Sequence, residues 1–264
     1  MLVFSSLVRH RELIYQFTKR AILGRYRGSA FGLAWSLLLP ILMLFVYTFV
    51  FGTVFKVRWA TEGQSNLDFA SILFSGLIVH AFFSECLVRS PGLITGNANY
   101  VKRVVFPLEV LAWTSVLTAL FQAGISLIIL TSYLVVVKSF LHPTVLLLPV
   151  VVLPLLILSL GVSWFVAAFA VYVRDITHVC GVLTTVFLFI SPIFYPVDGL
   201  PEAMQSYIYL NPISFIVEQV REVLIWGRMP LWSGLAIYYV VALAIACAGL
   251  WFFQKMRRGF ADVI

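Results

Sequence analysis

Charge is what this 264-residue chain has least of: Asp, Glu, Lys and Arg together make up 11% of it, against 62% hydrophobic residues. Soluble domains carry about 25% charged and about 45–50% apolar residues. A chain of this size with so little polar surface cannot cover a water-soluble globule. The shortage excludes a cytosolic enzyme, a secreted disulfide scaffold and a disordered regulator, and leaves an integral membrane protein. Cysteine is scarce as well. Cys86, Cys180 and Cys247 lie far apart in apolar surroundings without a C-x-x-C, and read as small buried hydrophobes. His10, His80, His142 and His178 are equally scattered, so no metal site is expected. No G-x-x-x-x-G-K-[ST] phosphate loop is present, and ATP hydrolysis by this chain is not expected. A cleaved signal peptide fits badly, because the apolar opening at 1–8 is short and is followed by charges without a small-residue cleavage site.

What fills the chain instead is long apolar runs. A bilayer-crossing helix takes about 20 mostly apolar residues, and six segments reach that length: 31–55, 69–87, 110–137, 144–173, 177–197 and 231–253. The fold class is therefore an all-α integral membrane protein with six transmembrane helices. The net charge of +7 would admit a nucleic-acid partner through counterion release, but the positions argue otherwise. Arg9, Arg11, Lys19, Arg20, Arg25 and Arg27 crowd the N-terminus, and Lys255, Arg257 and Arg258 close the chain. Such flanking clusters are topology signals and lipid-headgroup contacts. With both termini inside, Lys102, Arg103 and Arg174 join them in internal loops, and only Lys56, Arg58, Lys138, Arg221 and Arg228 lie outside. The expected topology is N-in, C-in.

Residues 7–24 have the spacing of an amphipathic helix on the inner leaflet, with Leu13, Ile14, Phe17 and Ala21 recurring among the basic residues. Gly24, Gly28 and Gly32 follow at four-residue spacing, which makes either a close packing seam or a bend into the membrane; their place at the boundary favours the bend. Between the second and third spans, Pro91, Gly92, Gly96, Asn97 and Asn99 break the helix before a short amphipathic piece. Residues 191–230 are divided by Pro192, Pro196, Gly199, Pro201 and Pro212 yet stay rich in Ile, Phe, Tyr and Leu. They are too polar to span and too apolar for a plain loop, so short re-entrant helices dipping into the outer leaflet are expected between spans five and six.

The middles of all six spans lack Asp, Glu, Lys and Arg, which leaves an ion-coupled pump without the titratable group it needs. An intramembrane enzyme would have only His80 and Ser84, four apart on one helix, with no orienting acid and no oxyanion glycines. A passive pore, or a pore driven by another subunit, remains. Aromatics make up 16% of the chain, and Tyr47, Phe51 and Phe55 share one face of the first span. They serve either as lipid-interface anchors or as a surface on which sugar rings slide.

The stretch Arg25-Tyr26-Arg27-Gly28-Ser29-Ala30-Phe31-Gly32-Leu33-Ala34-Trp35, with Pro40 after it, resembles the start of type-2 export permeases of the ATP-binding-cassette superfamily. The similarity continues through NANYVKRVVFP at 97–107, Tyr172-Val173-Arg174-Asp175-Ile176, Ser191-Pro192-Ile193-Phe194-Tyr195-Pro196, Leu210-Asn211-Pro212 and the tail at 257–262. It is closest to the bacterial branch exporting lipid-linked polysaccharides, O-antigen above all, with capsule and teichoic acid permeases also similar. The resemblance implies one permease domain over 1–264: an interfacial helix in 1–30, the spans in 31–253, a coupling segment at 96–107, an external re-entrant segment at 192–230 and a cytoplasmic tail at 254–264.

It further implies a multi-pass protein of the bacterial inner membrane, a homodimer with the pore between protomers, and two copies of a separate cytoplasmic ATPase subunit that binds the ATP and Mg. The cargo would be a polysaccharide on an undecaprenyl diphosphate-type lipid; a capsular polymer, a teichoic acid, a drug or a small lipid are the alternatives. Asn97, Tyr100, Lys102, Arg103 and Phe106, with Arg174 and Asp175, would couple to the ATPase subunit. Tyr47, Phe51 and Phe55 would line the channel. Arg9, Arg11, Arg25 and Arg27 would form the gate region facing the lipid diphosphate, with ordinary topology charge as the other reading. Pro196, Pro201, Asn211 and Pro212 would shape the external gate.

Overall fold

The computed structural model describes residues 3–50, 66–102, 106–138 and 141–263, and all regular structure among them is helical. Lipid leaves no water to satisfy backbone N–H and C=O groups, so an apolar chain that crosses it must pair them within its own helices. The N-terminal amphipathic segment is two helices, α1 (Val3–Arg9) and α2 (Arg11–Arg25), parted at His10, whose φ of −117° and ψ of 26° leave the helical region. A 3-10 turn at Gly32–Ala34 leads into α3 (Trp35–Tyr47), and the apolar run extends over Gly32–Val50. After α4 (Asn66–Arg89) come two short helices, α5 (Gly92–Thr95) and α6 (Ala98–Val101), and then α7 (Val110–Lys138). The pair α8 (Leu148–Tyr172) and α9 (Ile176–Ile190) precedes α10 (Glu202–Ile208) and α11 (Ser214–Arg221), the latter continued by a π-turn at Glu222–Trp226. The chain closes with α12 (Trp232–Met256) and α13 (Phe260–Val263).

Five helical segments among the described residues are long and apolar enough to cross a bilayer: Gly32–Val50, Phe69–Arg89, Val110–Val137, Pro143–Tyr172 and Trp232–Val263. The segment expected at 177–197 differs. Its helix, α9, has 15 residues and stops at Ser191, which turns extended with ψ of 147°. Pro192 is the cause, since its ring disfavours helical geometry in the residue before it. At 1.5 Å per residue α9 reaches about 22 Å, short of the ~30 Å hydrocarbon core.

The centre of the molecule is α8, buried along most of its length from Leu148 to Val171 and flanked by α12, α4 and α7. Trp164, fully buried, meets Trp113 of α7 edge to face with centroids 6.1 Å apart and donates its indole N–H to the Glu109 carbonyl at 3.1 Å. By contrast, α9 buries only Cys180 and turns Val179, Val182, Val186 and Phe189 outward. Helix α3 likewise exposes Leu37, Leu38, Ile41, Leu42 and Phe45.

The bend between α2 and α3 is built on glycine conformation rather than close packing. Gly28 and Gly32 hold φ of +86° and +52°, and nothing among the described residues lies within 4 Å of where a β-carbon would stand on either. That left-handed region is costly for residues with a β-carbon.

Candidate functional site

Most of the residues picked out by sequence for gating and coupling gather at the end of the bundle that holds both termini. Phe17 of α2 lies 5.5 Å from Tyr100 of α6 and 5.6 Å from Phe106, and Tyr100 stacks on Phe106 with centroids 4.6 Å apart. Aromatic rings at such spacings attract beyond their area burial, so α2 is packed onto α6 and Phe106. Tyr100 is half-buried in this cluster, and Asn97 turns back to donate to the Leu93 carbonyl at 3.0 Å. The outward face of the segment carries Thr95, Gly96, Asn99 and Lys102. Arg103 lies outside the described residues. Arg174 and Asp175 sit exposed in the turn between α8 and α9.

The basic residues of the gate region divide in two. Arg25 pairs with Glu85 of α4, which also takes Arg89 at 3.3 Å. Arg9, Arg11 and Arg27 make no ion pair among the described residues and are exposed. The bend itself is clamped from α7 by Gln122, which accepts from the Tyr26 hydroxyl at 3.0 Å and donates to the Ser36 carbonyl at 3.0 Å. The tail is fastened too. Arg257 meets Glu109 at 3.1 Å and donates to the Phe106 carbonyl at 2.8 Å, so the end of the coupling segment is held by the C-terminus.

On the opposite side, the segment after α9 is fixed by two buried polar side chains. Asn211 donates to Ser191 Oγ at 2.8 Å and accepts from the Ile213 N–H at 3.1 Å, closing the turn that Pro212 continues. Pro212 in turn receives the Tyr238 hydroxyl on its carbonyl. Arg221 is fully buried and donates to the carbonyls of Ile72, Pro192 and Ile193 at 3.2, 2.6 and 3.1 Å. Burial pushes its guanidinium down to about 9, still protonated at neutral pH, while Glu218 pulls the other way. Pro196 and Pro201 stand at the starts of a 3-10 turn and of α10, where the lack of an N–H costs nothing.

Tyr47 is half-buried against Phe74 of α4, with centroids 6.3 Å apart; Phe51 and Phe55 lie outside the described residues. His80 Nε2 sits 2.9 Å from the Thr184 carbonyl and 3.0 Å from Ser84 Oγ. A carbonyl only accepts, so Nε2 carries the proton and is not free to take one from Ser84. This geometry removes the base that a serine nucleophile would need.

Sequence reasoning missed Gln122, Glu85, Glu109 and the burial of Arg221. The signal was an isolated polar residue inside or beside an apolar run, which must find a partner when buried; which partner it finds depends on the tertiary packing.

A family model described as ABC-2 type transporter matches residues 12–225. The O-antigen export system permease protein RfbA of Myxococcus xanthus is 27% identical over 261 residues, covering 98% of both chains. A Klebsiella pneumoniae protein of the same name is 23% identical over 96% of this chain and 95% of its own length. The polysialic acid transport protein KpsM of Escherichia coli is 24% identical, over 86% of this chain and 85% of its own. The family match starts in the first turn of α2 and runs to the π-turn beyond α11, taking in the aromatic cluster, the clamped bend and the buried arginine; the chain belongs to the ABC-2 type transporter family.

Proposed function

We propose that this chain is the membrane subunit of an ATP-driven exporter that moves a lipid-linked polysaccharide, O-antigen on an undecaprenyl diphosphate-type lipid, from the cytoplasmic to the periplasmic side of the inner membrane. The observation that carries this reading is the end-to-end similarity to permeases named for O-antigen export, over 98% of both chains in one case. The polysialic acid relatives support a polysaccharide class broader than one glycan.

The topology is N-in, C-in, which places α2, α5, α6 and the α8–α9 turn on the cytoplasmic side. The permease works as a homodimer, with the exposed apolar faces of α3 and α9 available to a second copy and to lipid. Two copies of a cytoplasmic ATPase subunit bind ATP and Mg and dock on Asn99, Lys102, Arg103, Arg174 and Asp175. Closure of the ATPase pair displaces the coupling segment as a rigid body. The Phe17–Tyr100–Phe106 cluster passes that displacement to α2. No titratable centre is needed within the spans, because the energy enters from outside the membrane.

Affinity purification of the tagged chain in a gentle detergent tests this. The expected result is a stoichiometric partner that hydrolyses ATP, together with loss of surface glycan in a deletion strain. A homodimer without an ATPase at any detergent strength would overturn the reading. A normal surface glycan in the deletion strain, with raised sensitivity to amphiphiles, would move the cargo to a drug or small lipid.

A further inference from the structure

We propose that the cleft between α2, the α5–α6 segment and α7 binds a phosphate group through Arg20, Arg89 and Ser115. The cleft has a volume of about 500 Å³ and lies between the helix read as the gate and the segment read as the coupler. Arg20 enters it from α2, Arg89 from the end of α4, and Thr114, Ser115 and Thr118 from α7. Among the described residues, no acidic side chain lines it.

Its charge is unbalanced. Arg89 shares Glu85 with Arg25, and Arg20 has no ion-pair partner among the described residues. The cleft thus presents Arg20 and Arg89, the latter sharing Glu85 with Arg25, and this surplus of positive charge suits a phosphate ester or a diphosphate. The hydroxyls make a second, independent case. Thr114 and Thr118 spend their protons on the carbonyls of Val110 and Thr114, at 3.1 and 2.7 Å. Ser115, 5% exposed, makes no hydrogen bond. A buried hydroxyl left unpaired is costly, and a phosphate oxygen is an acceptor of the right strength for it.

Phe17, Leu93 and Leu111 add an apolar wall, beside which Asn97 and Tyr100 also line the cleft, so the group carrying the phosphate need not be fully solvated. Both a lipid headgroup and a soluble phosphate satisfy this chemistry. The site is separate from Arg9, Arg11 and Arg27, none of which lines the cleft. The inference rests on the position of α2 at the membrane surface and not on the identity of the exported cargo.

Native mass spectrometry of the full-length chain, released from detergent with any co-purifying subunit, provides the test. The probes are phosphatidylglycerol, diacylglycerol as its phosphate-free counterpart, and inorganic pyrophosphate. Retention of phosphatidylglycerol over diacylglycerol, undisturbed by pyrophosphate, identifies a lipid headgroup. Binding of pyrophosphate, with displacement of the lipid, identifies a soluble phosphate. In either case Arg20→Gln and Ser115→Ala are each expected to weaken retention about tenfold, the effect of one charge-assisted or buried hydrogen bond. Arg258→Gln, an exposed charge on the tail, is expected to leave it unchanged. Retention insensitive to both cleft variants, or reduced equally by Arg258→Gln, overturns the site, as does binding of neither probe. Because only binding is read, failure of this test leaves the export reading standing, and failure of the export reading leaves this site standing.

Discussion

Gly249 of α12 approaches Gly161 of α8 so closely that a β-carbon on Gly249 would stand 2.1 Å from the Gly161 carbonyl oxygen. Gly161 is as tightly placed against the same helix, since a β-carbon on it would lie 2.6 Å from Ala246 Cα. Inside a membrane helices gain nothing from apolar burial against lipid, so small residues that let backbones touch supply the attraction. The α8–α12 pair is built on this crossing. Gly249→Leu is expected to part the two helices and destabilise the protein by at least the about 1–3 kcal/mol typical of overpacking. Gly124→Leu on α7, where nothing among the described residues lies within 4 Å of a β-carbon, should be tolerated. Thermal melts of both variants in detergent check this, and equal melts would place the stability elsewhere.

Arg221 holds three carbonyls, that of Ile72 within α4 among them. Two of them, Pro192 and Ile193, sit in the break after α9. Arg221→Leu leaves these oxygens buried without a donor, at about 1–3 kcal/mol each and not additively. Arg221→Lys, with a compact donor in place of the planar fork, is expected to fall between the leucine variant and wild type. Gly76→Ala should also destabilise, because its β-carbon would sit 3.0 Å from Arg221 Nη2. Fluorescence-detected size exclusion and melting curves report the order; an Arg221→Leu protein as stable as wild type would show that the carbonyls find water.

Reversing the Arg25–Glu85 pair tests how the bend is attached to α4. Arg25→Glu alone and Glu85→Arg alone should each impair export, and the double exchange should restore part of it. Both side chains are about one-quarter exposed or less, so the pair contributes on the order of 1 kcal/mol to stability, and its value lies in placing the bend. Glycan export in a complemented deletion strain is the readout. No recovery in the double variant would mean that Arg89 alone occupies Glu85 in the working protein.

Gln122→Leu removes the acceptor for Tyr26 and the donor for Ser36 in one step. The bend should then loosen while the spans stay inserted. Faster proteolysis or alkylation of a cysteine placed at Ser29 is the expected sign. Unaltered labelling would assign the bend's geometry to its glycines alone.

Tyr100→Ala combined with Arg103→Glu is expected to uncouple ATP hydrolysis from export without loss of membrane insertion. The alanine removes the ring that packs on both Phe17 and Phe106, and the charge reversal tests the proposed contact of Arg103 with the ATPase subunit. Export unchanged in that variant would sink the coupling assignment.

Some of this molecule was legible before any coordinate. The scarcity of charge and the long apolar runs required membrane-spanning helices, because backbone groups in lipid must pair within the helix. The boundary glycines at 28 and 32 were recognisable as a bend from their place between a surface helix and a span, and both take a positive φ that glycine adopts cheaply. The run of prolines after residue 190 marked a segment that neither spans nor loops freely, and Pro192 carried the information that shortens α9, although hydropathy alone extended that span to 197.

Partnerships were not legible. Nothing in the local pattern tells Glu109 to meet Arg257, 148 positions later, or Gln122 to reach both sides of a bend at residues 26 and 36. Arg221 reads as an outside loop charge in sequence and is a buried donor in the fold, because burial follows from what packs over a residue and not from its own polarity. The sequence by itself determined that the chain crosses a membrane on helices and that its basic residues cluster at its two ends. Only the tertiary structure decided which isolated polar groups satisfy one another, since in a solvent without hydrogen bonds each must find its partner on another helix.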